Sequence, residues 1–80
     1  MSDPKLTRLA TKVLNALVET NEPVKPNELV TMLDMNLRSV RYALKLLQEA
    51  DIVGRQPDLG DLRTYYYYIP ANVDPTPLIN

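Results

Sequence analysis

The chain has 80 residues, nine Lys plus Arg against ten Asp plus Glu, a formal net charge of −1, 45% hydrophobic side chains, and no Cys, His or Trp. A chain of this size is one small globular domain that buries only about 60% of its unfolded surface, so its core is small and association with a second copy is a natural aid. Without Cys or His there is no disulfide framework, no thiolate or imidazole metal site and no Ser-His or Cys-His nucleophile pair, which excludes most hydrolase and zinc chemistry.

In chain order, the N-terminus Met1-Ser2-Asp3-Pro4-Lys5 holds no apolar leader, and no apolar run nears the ~20 residues that span a bilayer. The expected location is therefore cytoplasmic, on the nucleoid if the chain binds DNA. Asp3-Pro4 reads as a helix start, with Asp as the capping acceptor and Pro at the first helical position, where its missing N–H costs nothing. Leu6, Leu9, Ala10, Val13, Ala16 and Leu17 then recur at helical spacing, which predicts a first helix running to about Thr20. Asn21-Glu22-Pro23 ends it, because Pro disfavours helical geometry in the residue before it, and Val24 and Lys25 form a short extended piece at most.

Pro26 opens a second helix, Pro26 to Leu33, with Glu28 in the first turn where the helix dipole favours an anion. Asp34-Met35-Asn36 is a turn. Asn36 caps a third helix, Leu37 to about Ala50, by accepting from the N–H of Arg38 or Ser39. Ile52 to Gln56 and Leu62 to Ile69 are β-favouring runs, and Pro57-Asp58-Leu59-Gly60-Asp61 between them is a loop. Two helices joined by a short turn, then a hairpin, predict a mainly α protein with a small β hairpin: an α+β, three-helix winged helix-turn-helix with a two-stranded wing. The domain is expected over residues 1–69, with an extended, Pro-containing tail over 70–80 in which Leu78 and Ile79 are candidate anchors on the domain or on a second subunit.

The third helix carries the chemistry. At 100° per residue, Arg41, Lys45, Arg38, Glu49 and Tyr42 fall at roughly 300, 340, 0, 20 and 40°, while Val40, Leu44, Leu47, Ala43 and Leu37 fall at roughly 140 to 260°. Residues 36–48 contain Arg38, Arg41 and Lys45 and no acid, a local charge of +3, so the other residues carry −4. A chain that places its acids elsewhere and leaves one helix face basic attracts phosphates locally. An α-helix fits the major groove, Arg donates two bonds to a guanine edge, and Lys or Arg neutralises phosphates. Asn36, Arg38, Ser39, Arg41, Tyr42 and Lys45 are the candidate DNA-binding residues, those nearest the helix start reaching deepest. A solvated helix face would carry the same charges, and Asn36 and Ser39 would then serve only as cap and first-turn residues.

In the hairpin, Arg55 and Arg63 flank the loop and are candidate phosphate contacts, whereas Asp58 and Asp61 at the tip repel DNA and argue against insertion of the tip into a groove. Strand alternation puts Tyr65 and Tyr67 with Ile69 on one side and Tyr66 and Tyr68 on the other. One pair is expected to pack on the helices and the other, Tyr66 and Tyr68, to stand exposed as a protein-interaction surface.

Asn36-Leu37-Arg38-Ser39-Val40-Arg41-Tyr42-Ala43-Leu44-Lys45-Leu46-Leu47, followed by Ala50-Asp51-Ile52-Val53, resembles the recognition helix and first wing strand of winged helix-turn-helix transcription regulators of the arsenic-repressor-like type. Leu62-Arg63-Thr64-Tyr65-Tyr66-Tyr67-Tyr68-Ile69, with Leu37-Arg38-Ser39-Val40, also resembles the N-terminal winged helix of the alpha subunit of general transcription factor E. The first resemblance implies a homodimer on a palindromic double-stranded DNA operator, with the third helix in the major groove and the hairpin beside the backbone. The second implies a module that docks on a protein of the transcription machinery and has little DNA affinity of its own. The absence of Cys and His sets the chain apart from metal-sensing repressors. No triad, phosphate loop or metal cluster marks an enzyme, and no cofactor or membrane partner is expected.

Overall fold

A computed structural model describes residues 7–74. Its elements are α1 (Arg8–Thr20), α2 (Pro26–Leu33), α3 (Leu37–Glu49), β1 (Gly54–Asp58) and β2 (Asp61–Tyr68). This is the winged helix-turn-helix expected from the pattern of apolar residues and turns.

Helix α1 starts at Thr7, whose Oγ1 accepts from the Ala10 N–H at 3.1 Å and so satisfies one of the free donors of the first turn. The predicted start at Asp3-Pro4, and Leu6, lie outside the described residues. Ala10, Val13, Leu14, Ala16 and Leu17 are its buried face; Leu14 belongs there as well as the residues anticipated, and Leu9 sits half-buried at the edge. Helix α2 has the predicted bounds, and Glu28 Oε1 turns back to accept from the Lys25 N–H at 3.0 Å. Helix α3 is capped as expected by Asn36, whose Oδ1 accepts from the Ser39 N–H at 2.8 Å. Its apolar stripe, Val40, Ala43, Leu44 and Leu47, packs against Leu29 of α2 and the buried face of α1 in a single core.

The hairpin differs from expectation at both ends of β1. Helix α3 stops on Asp51, which takes the left-handed conformation (φ 62°), and the Asp51 and Ile52 N–H groups donate back to the Gln48 and Leu47 carbonyls at 3.0 Å each. This double-bonded helix stop uses the Ile52 N–H that a strand would need, so Ile52 and Val53 are buried core residues and β1 begins at Gly54. At the other end β1 runs through Pro57 to Asp58, leaving Leu59 and Gly60 as the connection in place of the expected loop from Pro57 to Asp61. Pro57 is tolerated because β1 is an edge strand, where its missing donor faces no partner.

The strands pair antiparallel, Gly54 opposite Tyr68, Arg55 opposite Tyr67, Gln56 opposite Tyr66 and Pro57 opposite Tyr65. The register then shifts so that Asp58 faces Asp61, which throws Leu62, Arg63 and Thr64 into a bulge. On the far edge of β2, Val24 bridges Tyr67 through N–H···O bonds of 2.9 and 2.7 Å, so the short extended piece before α2 ties the wing to the helices. Beyond Ile69, Pro70 to Val73 form a turn closed by the Val73 N–H on the Pro70 carbonyl, and Val73 packs against the core. Leu78 and Ile79 lie outside the described residues.

Candidate nucleic-acid interface

Because α3 buries Val40, Ala43, Leu44 and Leu47, its opposite side must face solvent, and Arg38, Arg41, Tyr42 and Lys45 are all exposed there. Among the described residues no carboxylate lies within ion-pair distance of Arg38, Arg41 or Lys45. A set of cations on one helix, with no ion-pair partner among the described residues, is the electrostatic condition for holding an external polyanion. Asn36 is exposed, but its Oδ1 is engaged as the cap; Ser39 is half-buried beside it.

The wing arranges its charges differently from expectation. Asp58 does not project from the tip as a free anion: its Oδ2 lies 2.8 Å from Lys25 Nζ, and its Oδ1 accepts from the Gly60 N–H at 2.8 Å. These bonds hold its carboxyl below the ordinary aspartate range, the Lys25 hydrogen bond contributing most, and the same hydrogen bond raises Lys25. Asp61 Oδ1 accepts from both the backbone N–H and the Nε of Arg63, each at 3.2 Å. Each tip acid thus has a cation beside it, which offsets part of the repulsion predicted for the tip. Arg55 and Arg63 are exposed as anticipated, and the Arg55 guanidinium stacks 4.2 Å from the centre of the Tyr65 ring.

The tyrosines do not leave a bare aromatic pair. Tyr67 packs on the core, as the alternation predicted. Tyr66 and Tyr68, expected to stand exposed, are each only half-exposed. The Lys25 ammonium lies 5.2 Å from the centre of the Tyr66 ring, and Tyr68 lies over Gly54, where an added Cβ would come within 3.0 Å of the ring's Cζ and Oη. Lys25 lies against the Tyr66 ring and Gly54 against the Tyr68 ring, and each ring keeps part of its surface open. The large apolar side chains that the wing does expose are Leu59 and Leu62, 86% and 68% accessible.

Between α3 and the wing runs a groove of about 310 Å³ lined by Lys25, Pro26, Asn27, Leu37, Arg41, Arg63, Thr64, Tyr65 and Tyr67. It brings together one cation from the helix face and one from the wing that the sequence reading treated separately. Lys25, Asn27, Thr64 and Tyr65 were not singled out for this role. The strand alternation that pairs Tyr65 with Tyr67 was the available signal for Tyr65, whereas Thr64 is carried by a bulge and Lys25 and Asn27 by the tertiary meeting of α2 and β2. A larger groove of about 520 Å³ between the end of α1 and the end of β2 has no Lys or Arg in its wall.

Comparison with known proteins supports the fold. No family model and no curated protein matches the chain. Among solved structures, the chain is similar to the ST1889 protein of the thermoacidophilic archaeon Sulfolobus tokodaii, with 30% identity and a TM-score of 0.76 over 86% of this chain and 66% of that one. It is also similar to the adhesin competence repressor AdcR of Streptococcus pyogenes, with 23% identity and a TM-score of 0.77 over 99% of this chain and 55% of that one. A variant of ZitR from Lactococcus lactis gives 25% identity and a TM-score of 0.76 over 95% of this chain and 51% of that one. The chain therefore spans between half and two-thirds of the length of the structures it resembles, and transcriptional regulators are among them.

Proposed function

We propose that the chain is a sequence-specific, double-stranded DNA-binding transcriptional regulator that acts as a homodimer, with α3 in the major groove and the hairpin beside the backbone. The observation that carries this reading is the exposed basic face of α3, whose Arg38, Arg41 and Lys45 have no ion-pair partner among the described residues, immediately after the turn that joins it to α2. Arg38, Ser39, Arg41, Tyr42 and Lys45 supply the helix contacts, Asn36 sets the helix start, and Arg55 and Arg63 supply the wing contacts. The net charge of −1 is compatible with this role because residues 36–48 hold Arg38, Arg41 and Lys45 and no acid, and Glu49, at the helix end, is the one carboxylate on this face. The fold shared with a repressor is in keeping with it. A single module of this size covers about 600 to 1,000 Å², so useful specificity calls for two copies on one site.

The alternative, docking on a transcription protein through Tyr66 and Tyr68, has less support, because both rings are already engaged by Lys25 and Gly54. The test of the leading reading is Arg38→Ala combined with Arg41→Ala, measured by binding to duplex DNA alongside circular dichroism. A lost bidentate base contact costs about 1–3 kcal/mol and a lost phosphate contact weakens binding further, so affinity is expected to fall at least tenfold while the helical signal is retained. Unchanged affinity with an intact fold would remove α3 as the reading element.

A further inference from the structure

We infer that the groove between α3 and the wing seats one phosphate of the DNA backbone, gripped jointly by Arg41 and Arg63, so that Arg41 holds the backbone and leaves Arg38, Tyr42 and Lys45 for the base edges. This deepens the proposed function and rests on it. The wall of the groove carries Lys25, Arg41 and Arg63 and no carboxylate. Lys25 and Arg63 each have a carboxylate partner, Asp58 at 2.8 Å and Asp61 at 3.2 Å, but Lys25 binds through its ammonium itself whereas Arg63 binds through Nε alone, so the terminal nitrogens of Arg63 and the whole guanidinium of Arg41 are left to answer an anion. Arg63 spends its Nε on Asp61, and its two terminal nitrogens, with their four N–H donors, remain for a ligand. Arg41 has no ion-pair partner among the described residues.

Arg41 also occupies the edge of the basic face, about 60° around the helix from Arg38 and on the side of Leu37, which shares the groove wall. It therefore points at the wing while Arg38 and Lys45 lie along the middle of the face. Planar guanidinium forks match phosphate oxygens two at a time, and convergence from two elements fixes the anion's position. The volume, about 310 Å³, is that of about ten waters in the liquid, which admits a phosphodiester with the sugars that flank it. The Asn27 side-chain amide adds a neutral donor to the same wall, while the Thr64 hydroxyl donates to the Asp61 carbonyl at 3.1 Å and so holds the bulge that carries Arg63.

The experiment compares Arg41→Ala with Arg38→Ala on a panel of duplex sequences across a salt series. Arg41→Ala is expected to weaken binding by a similar factor on every sequence and to flatten the log–log salt slope by about 0.9, the loss of one phosphate contact. Arg38→Ala is expected to re-rank the sequences. Arg41→Lys, which keeps the charge, retains the slope and loses part of the affinity, and so separates contact from folding. Re-ranking by Arg41→Ala, or an unaltered slope, would overturn the assignment while leaving DNA binding standing. A wild-type chain that binds no duplex overturns the proposed function and this inference with it. A free anion offers the same chemistry, so inorganic phosphate is titrated alone while the Thr64 and Tyr65 amide resonances are followed. Saturable shifts at lower concentrations than duplex requires would assign the groove to a soluble anion and overturn the backbone reading.

Discussion

Asp51 sits at φ 62° because the chain must reverse at the end of α3 to bury Ile52, and an L-residue holds that conformation at a cost. Asp51→Gly removes the Cβ penalty and is expected to raise stability by roughly 0.5–1 kcal/mol in chemical denaturation, with duplex affinity unchanged. Asn36→Ala deletes the acceptor for the Ser39 N–H and is expected to cost about 1 kcal/mol, most of which Asn36→Ser restores. The Lys25–Asp58 pair gives the wing a pH dependence whose sign follows from its shifts. Asp58 is lowered, chiefly by its hydrogen bond from Lys25, so its contribution is present above the ordinary aspartate range and is lost as pH falls through the lowered folded value. Lys25 is raised by the same bond, so its contribution is present below the ordinary lysine range and is lost as pH rises through the raised folded value. The stability difference between wild type and Asp58→Asn is expected to be largest near neutral pH and to vanish in strong acid, as followed by thermal unfolding across pH.

The helices and the existence of the hairpin are legible in the sequence, and the bounds of the hairpin's strands are not. Spacing of apolar residues, a Pro at the first position of α2 and the Asn36 cap locate α2 and α3 almost to the residue, because those signals are local. The boundaries of β1 were misjudged because Ile52 and Val53 have strand-like side chains but are claimed by the helix stop and the core. Each helix ends on a left-handed Asn or Asp, at Asn21, Asp34 and Asp51, while both glycines serve the wing, so the usual glycine signal for a helix end is missing from the sequence. The candidate helix face was readable from periodicity alone. The tyrosine partners and the groove were not, since they depend on Val24 bridging Tyr67 and on the register shift after Pro57, which are tertiary and cross-strand events.

At the scale of the whole molecule, charge segregation is the property that connects fold to function. The core fixes α3 with its apolar stripe inward, the remaining face carries Arg38, Arg41 and Lys45 against the single acid Glu49, and the two acids of the wing are drawn onto Lys25 and Arg63. The proposed surface thus presents Arg38, Arg41, Lys45, Arg55 and Arg63 in a chain of net charge −1. The most direct test is fluorescence anisotropy of labelled random duplex DNA titrated with the protein over a salt series, with molar mass in solution recorded in the same buffer. Binding that weakens linearly on log–log axes, with a slope equivalent to several released counterions at about 0.9 per phosphate, together with a dimer mass, is the predicted result. Negligible binding at low salt would contradict the account.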